Sequence, residues 1–276
     1  MIKYKLSQSD LSRAMINPNF FIIGAQKTAT TYLSVVLSRH KDVFFSNPKE
    51  IFFFDQRTPL THEKYEDYCK KYFQKEAACV GEGSTTYLQS PIAPINIMKY
   101  VPGKPKFIIC LRHPLEKAVS YFIHNWRRGR YAEGVTIIDA GRIYPTLSPF
   151  LTSIYSSGVK CWMDVFSADR SRFLFLQQEQ LSENSDFFIS QATNFLSLSK
   201  STYRTSNRVN RGLKKQISLD NKGLYFNAQK EDTVAAKNIF ISFDELYSLY
   251  GDLARQTDEM EHLTGLDLHH WRIFPY

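Results

Sequence analysis

The segment Phe20-Phe21-Ile22-Ile23-Gly24-Ala25-Gln26-Lys27-Thr28-Ala29-Thr30-Thr31-Tyr32-Leu33 decides how this chain is read. Four apolar residues predict a buried strand, and Gly24 ends it. Leu33, Val36 and Leu37 follow at helical spacing. A strand, a tight turn and a helix N-terminus make an anion site, because unpaired amides and the positive end of the helix dipole meet there. Lys27 adds a mobile positive charge, and Thr28, Thr30 and Thr31 add hydroxyl donors. The loop is not a Walker A loop. That pattern, G-x-x-x-x-G-K-[ST], needs a second glycine before its lysine, and Lys27 comes three residues after Gly24 with none between. The plain alternative is an ordinary strand–turn–helix with a solvated lysine.

A second strand, Lys106-Phe107-Ile108-Ile109-Cys110-Leu111, runs into Arg112-His113-Pro114-Leu115-Glu116-Lys117-Ala118-Val119-Ser120-Tyr121. Pro114 suits the first turn of a helix, where a missing N–H costs nothing. Arg112 at the strand end and Ser120 in the helix can converge on one anion, with Arg112 giving a forked, charge-assisted contact. Pro48-Lys49-Glu50-Ile51-Phe52-Phe53-Phe54-Asp55 and Gly81-Glu82-Gly83-Ser84-Thr85-Thr86-Tyr87-Leu88 are two further dense segments.

Together these segments resemble the sulfotransferases that use 3′-phosphoadenosine 5′-phosphosulfate (PAPS). The run G-x-Q-K-T-x-T-T, Gly24 to Thr31, is similar to their 5′-phosphosulfate loop. Arg112, Pro114 and Ser120 are similar to their 3′-phosphate site, about 85 residues further on. Lys49, Glu50 and the following phenylalanines resemble the segment of the heparan-sulfate and related carbohydrate sulfotransferases in which the glutamate is the usual catalytic base. Tyr155, Val159 and Trp162 match a later helix that packs near the nucleotide, with Ser153 where a glycine is usual. Asn210-Arg211-Gly212-Leu213-Lys214-Lys215 is the best match for a late 3′-phosphate loop, with a solvated basic loop as the plain reading. The resemblance covers residues 19 to 272 and thins after residue 180. It implies donor contacts from Gly24, Ala25, Gln26, Lys27, Thr28, Ala29, Thr30, Thr31, Arg112, Ser120, Tyr155, Arg211 and Gly212. It implies PAPS as co-substrate, no metal, and an acceptor hydroxyl or amine on a carbohydrate, possibly an acidic one.

Composition agrees with a globular enzyme. The chain has 276 residues, of which 43% are hydrophobic and 14% aromatic, enough for one large α/β domain. No apolar run reaches the ~18 residues a membrane span needs. Residues 1–18, read as an N-terminal extension before a domain at 19–276, contain no apolar stretch of signal-peptide type. The expectation is a cytoplasmic enzyme of bacterial kind without stable membrane insertion. A trimmed Golgi-type catalytic domain is the alternative, since animal enzymes of the resembled type usually carry an anchor. Cys69, Cys79, Cys110 and Cys161 form no C-x-x-C pair, so reduced thiols are the simplest reading and a Cys69–Cys79 bridge the alternative. The net charge of +8 suits polyanionic ligands. No helix-turn-helix, zinc-finger or RRM signature accompanies it, which argues against nucleic acid. The cluster Trp126-Arg127-Arg128-Gly129-Arg130 either steers an anionic ligand or is a solvated helix end that complements the dipole.

Strands are expected at 20–23, 43–45, 78–81, 107–111 and 172–176. Helices are expected at 30–39, 62–74, 91–100, 115–127, 150–167, 186–197 and 242–264, with long loops at 129–150 and 199–223. The alternation predicts a single α/β domain, a central parallel sheet flanked by helices, carrying a P-loop-like strand–loop–helix. Ligands then sit beyond the strand ends that bear Gly24, Glu82 and Arg112.

Sulfuryl transfer needs charge stabilisation on the leaving group, the role expected of Lys27, and a base for the acceptor proton. Two residues compete for the second role. Glu50 has the position implied by the resemblance, with Phe52, Phe53 and Phe54 expected to give it apolar cover. His124 lies one turn after Ser120 on the same helix face and titrates near neutral pH. The plain readings are a surface carboxylate paired with Lys49 and a satisfied helix histidine. The other histidines, at 40, 62, 113, 262, 269 and 270, carry no motif. The alternatives in function are a P-loop-type nucleotide kinase and a nucleotide-binding module without catalysis.

Overall fold

The computed structural model describes residues 15–167, 169–199, 217–226 and 239–276. Its centre is a five-stranded sheet in the order β2-β3-β1-β4-β5. The strands are β1 (Phe20–Gly24), β2 (Val43–Phe45), β3 (Cys79–Glu82), β4 (Lys106–Leu111) and β5 (Phe173–Gln177). All four neighbouring pairs are parallel. The five expected strands are the five observed ones, each within about a residue at its ends.

The apolar run of β1 is buried along its whole length, as a central parallel strand requires. Alternate residues serve opposite faces. Phe21 and Ile23 join one core with Phe107, Ile109, Phe54, Tyr87 and Trp162. Phe20 and Ile22 join the other with Leu33, Leu37, Ile108 and Phe188. The helices among the described residues are α1 (Thr30–Ser38), α2 (His62–Tyr72), α3 (Ile92–Tyr100), α4 (Pro114–Arg127), α5 (Ile137–Ile143), α6 (Ser156–Val165), α7 (Gln178–Glu183), α8 (Ser185–Phe195), α9 (Phe243–Ala254) and α10 (Thr257–Thr264).

The strand order reverses direction between β1 and β4. From β1 the chain goes to the edge strand β2, returns to β3 beside β1, and then crosses to β4 and β5 on the other side. A crevice therefore opens beyond the carboxyl ends of β1 and β4, where ligands bind in sheets of this kind. The loop after β1 and the N-terminus of α4 both border it.

Three expectations need correction. The helix expected at 150–167 starts only at Ser156, after a 3-10 turn at Leu151–Ser153. The helix expected at 242–264 breaks at Arg255–Gln256 into α9 and α10. One buried side chain accounts for both. Gln256 accepts from the amide of Tyr155 at 2.6 Å and donates to Ser153 O at 2.9 Å, so it closes the N-terminus of α6 from outside. Such a partner has no signature in sequence spacing. Third, the expected loops carry structure. Thr136 and Asp139 form a capping box that starts α5 within 129–150. The expected loop at 199–223 carries β6 (Ile217–Leu219), which with β7 (Gly223–Phe226) and β8 (Ile239–Ser242) makes a second, antiparallel sheet. Leu224, Phe226, Ile239 and Ile241 bury against Leu115, Val119 and Phe122 of α4.

Candidate active site

The loop after β1 leaves its helix open. Gly24 has φ +153°, and a Cβ there would lie 2.8 Å from Leu88 Cβ, so only glycine fits the strand end. Ala25 N donates to Cys110 O at 2.9 Å, tying the loop to β4. Lys27 and Ala29 both sit in the left-handed region, at φ 67° and 65°. Ala29 is the N-cap of α1, and no side chain caps the helix. Its first amides therefore point at whatever fills the loop. Thr28 is fully buried, and its hydroxyl donates to Ala25 O at 2.7 Å. It closes the loop on itself, whereas Thr31 is exposed at the helix start.

Lys27 meets the second motif. Its Nζ lies 3.4 Å from Nδ1 of His124, which stands on α4 one turn beyond Ser120. Burial, followed by the charges of Arg112, Arg128 and Arg127, lowers the Lys27 ammonium from 10.5 to about 8. Burial, then Lys27, Arg128, Arg130 and Arg127, lowers His124 from 6.5 to about 4. The basic cluster after α4 thus acts on the loop electrostatically. Arg130 is held by Asn125 Oδ1 at 3.1 Å, which fixes where that charge stands. Cations crowded this closely repel one another, and an anion among them relieves the repulsion.

Arg112 follows the last residue of β4. Its Nε donates to Glu116 Oε2 at 3.0 Å, and its carbonyl accepts from the Tyr155 hydroxyl at 2.9 Å. Tyr155 is fully buried and supports Arg112 from behind. Arg112 opens onto a cavity of about 370 Å³ whose wall includes Glu116, Glu179 and His270. Ser120 is buried on α4. His113 is also buried. Its Nε2 donates to Ile273 O at 3.1 Å, and burial lowers it to about 4, so it is a neutral packing residue. Arg211 and Gly212 lie outside the described residues.

Glu50 sits on the other side of β1, in a segment with no regular secondary structure. Its Oε1 accepts from Lys49 Nζ at 3.2 Å and from the Thr85 hydroxyl at 2.8 Å. Lys49 also reaches Gly83 O at 2.9 Å, and burial lowers its pKa. The apolar cover expected from the phenylalanines is absent. Phe53 and Phe54 turn into the core against Tyr68, and Phe52 is exposed. The Glu50 side chain keeps 35% of its surface in solvent. The enclosed carboxyl is Glu82 at the end of β3, wholly buried and raised by that burial to about 8. All four cysteines are free.

No protein-family model matches the chain. Among curated proteins it is 28% identical over 106 residues to the membrane-associated sulfotransferase kil1 of Dictyostelium discoideum, covering 38% of this chain and 22% of that one. It is 25% identical over 205 residues to the bifunctional heparan sulfate N-deacetylase/N-sulfotransferase 1 of Caenorhabditis elegans, covering 68% of this chain and 23% of that one. The matched stretches thus span less than a quarter of these relatives' own length. Among solved structures, a sulfotransferase from Alicyclobacillus acidocaldarius superimposes with a TM-score of 0.69 at 23% identity, covering 93% of this chain and 99% of that one. The fold is therefore that of the sulfotransferases. The sequence similarity likewise runs to sulfotransferases, those named for heparan sulfate among them.

Proposed function

We propose that the chain transfers the sulfuryl group of PAPS to a hydroxyl or amine on a carbohydrate. The observation that carries this reading is the meeting of Lys27 with His124, 97 residues apart in sequence, where the charges of Arg127 and Arg128 act on both. A half-buried lysine under the charges of Arg112, Arg128 and Arg127 gains from a bound anion, which suits a polyanionic donor. The open amides of α1 suit the 5′ end of the donor, and Arg112 with Ser120 suits its 3′-phosphate. The donor supplies an activated anhydride, and the chain's own groups position it and stabilise charge.

Lys27 stabilises charge that develops on the leaving phosphate. His124 accepts from Lys27 through Nδ1, so its proton sits on Nε2, where it is a donor. That tautomer suits a contact to sulfuryl oxygen rather than proton abstraction. Glu50 is then the base. Lys49 and Thr85 both bind Oε1, which leaves Oε2 to take the acceptor proton.

The carbohydrate acceptor is drawn from the Lys49–Glu50–phenylalanine segment and from the relatives named for heparan sulfate N-sulfation. A panel of acceptors incubated with radiolabelled PAPS tests it, including glucosaminyl oligosaccharides with free and acetylated amines. A donor lacking the 3′-phosphate serves as control. Label transferred to a saccharide is the expected result. Transfer from ATP with Mg²⁺ instead would identify a kinase, and tight nucleotide binding without transfer a sensing module.

A further inference from the structure

Four consecutive backbone amides of the Glu50 segment end on two buried hydroxyls. Ile51 N and Phe52 N donate to Ser84 Oγ at 3.0 and 2.9 Å. Phe53 N and Phe54 N donate to Tyr87 Oη at 3.0 and 3.2 Å. A hydroxyl that accepts twice still has one proton to give. Ser84 and Tyr87 are fully buried, so water is not the taker. Glu82 is their neighbour, equally buried, and neither of its carboxyl oxygens has a hydrogen bond of standard geometry. Two buried donors and one buried acceptor with unmet valences stand side by side, and each unmet group carries a desolvation cost.

We infer that Glu82 is a positioning residue: its carboxyl takes the hydroxyl protons of Ser84 and Tyr87, turns their lone pairs toward the amides of residues 51–54, and so fixes Glu50. The electrostatics agree, since the hydroxyls of Tyr87 and Ser84 lower the Glu82 pKa against the effect of burial. Lys49 lowers it and Asp55 raises it, while Glu82 in turn raises the phenol of Tyr68. The catalytic consequence rests on the proposed role of Glu50, but the positioning itself does not.

The test compares Glu82→Met, which keeps volume but offers no acceptor oxygen, with Glu82→Gln, which keeps a carbonyl. Amide hydrogen exchange is read without any substrate. Exchange at residues 51–54 should rise at least tenfold in Glu82→Met and stay near wild type in Glu82→Gln. The β1 loop should not change in either. Exchange at 51–54 that is unaltered in Glu82→Met, or raised equally in both variants, overturns the inference. Should Glu82→Met fail to fold, Tyr87→Phe carries the test by infrared spectroscopy. The Glu82 carbonyl stretch must move to higher frequency when the phenol is lost, and an unmoved band overturns the inference. Sulfuryl transfer from PAPS to glucosaminyl oligosaccharide is then measured. Turnover should fall about tenfold in Glu82→Met, with the affinity for 3′,5′-diphosphoadenosine unchanged. If wild type transfers nothing, the functional reading fails and the exchange result still stands.

Discussion

The two sides of β1 solve opposite problems. On the α4 side, Lys27, His124 and the arginines stand together, and burial first, then the neighbouring positive charges, lowers the pKa values of Lys27 and His124. On the β3 side, every strong charge has a partner or is enclosed. Glu50 is bonded to Lys49 and Thr85, and Glu82 is sealed in the core. The first side is electrostatically incomplete in that Arg112, Arg127 and Arg128 all act on Lys27, and it suits an anionic ligand. The second is internally satisfied around Glu50, which suits a group that must hold one geometry through a reaction. Ligand binding should therefore perturb the first side strongly and the second very little.

The strongest test of that division is to remove chemistry from the satisfied side alone. Glu50→Gln should lower turnover by roughly 10²–10⁴-fold, the usual worth of a general base, while 3′,5′-diphosphoadenosine binds as before. His124→Ala should be milder, because its Nδ1 already serves Lys27. The reverse ranking in single-turnover kinetics would move the base to the α4 side and dissolve the comparison.

The incomplete side should show itself through protons. In the free protein Lys27 is only partly protonated near pH 8. A bound polyanion favours the charged ammonium, so binding takes up a proton and affinity falls as pH rises through about 8. Calorimetry of diphosphoadenosine in buffers of different ionisation enthalpy should detect that uptake at pH 8. Lys27→Met should abolish it and reduce turnover more than it reduces affinity. A binding enthalpy independent of buffer would mean that Lys27 does not face the ligand.

Arg112 is intermediate, because it already has Glu116 at 3.0 Å. A phosphate must compete with that carboxylate, so Arg112→Ala should weaken diphosphoadenosine by only about 1–3 kcal/mol. AMP, which lacks the 3′-phosphate, should bind wild type and variant alike. Equal losses for both ligands would take the 3′-phosphate away from Arg112.

The sequence made the incomplete side far more legible than the satisfied one. Lys27 and Arg112 stand at ends of apolar runs, where a strand-end reading finds them without coordinates. The five parallel strands were equally plain, because buried parallel strands are continuous apolar blocks. His124 was found through its one-turn spacing from Ser120. The satisfied side depends on contacts that spacing cannot show. The amides of 51–54 reach across more than thirty residues to Ser84 and Tyr87, and of the phenylalanines expected to cover Glu50, Phe53 and Phe54 lie in the core and Phe52 is exposed. The three short strands at 217–242 were missed for a related reason: three or four residues carry too little periodicity to separate from a loop.

The smallest expected effect concerns stability, and it isolates the buried carboxyl from all ligand chemistry. Glu82 has a folded-state value of about 8 against an ordinary 4.5. The folded protein therefore holds a proton that the unfolded chain releases. Its contribution to stability is complete below about pH 4.5 and is lost as pH rises toward 8. Thermal unfolding of wild type should thus show a midpoint that declines from pH 5 to pH 8.5. Glu82→Gln has nothing to titrate and should decline less. At this chain length each kcal/mol of difference moves the midpoint by about 2–4 °C. A Glu82→Gln scan parallel to wild type would mean that Glu82 stays ionised in the core, held by Lys49. The satisfied side of the molecule would then owe its order to an ion pair rather than to neutral hydrogen bonds.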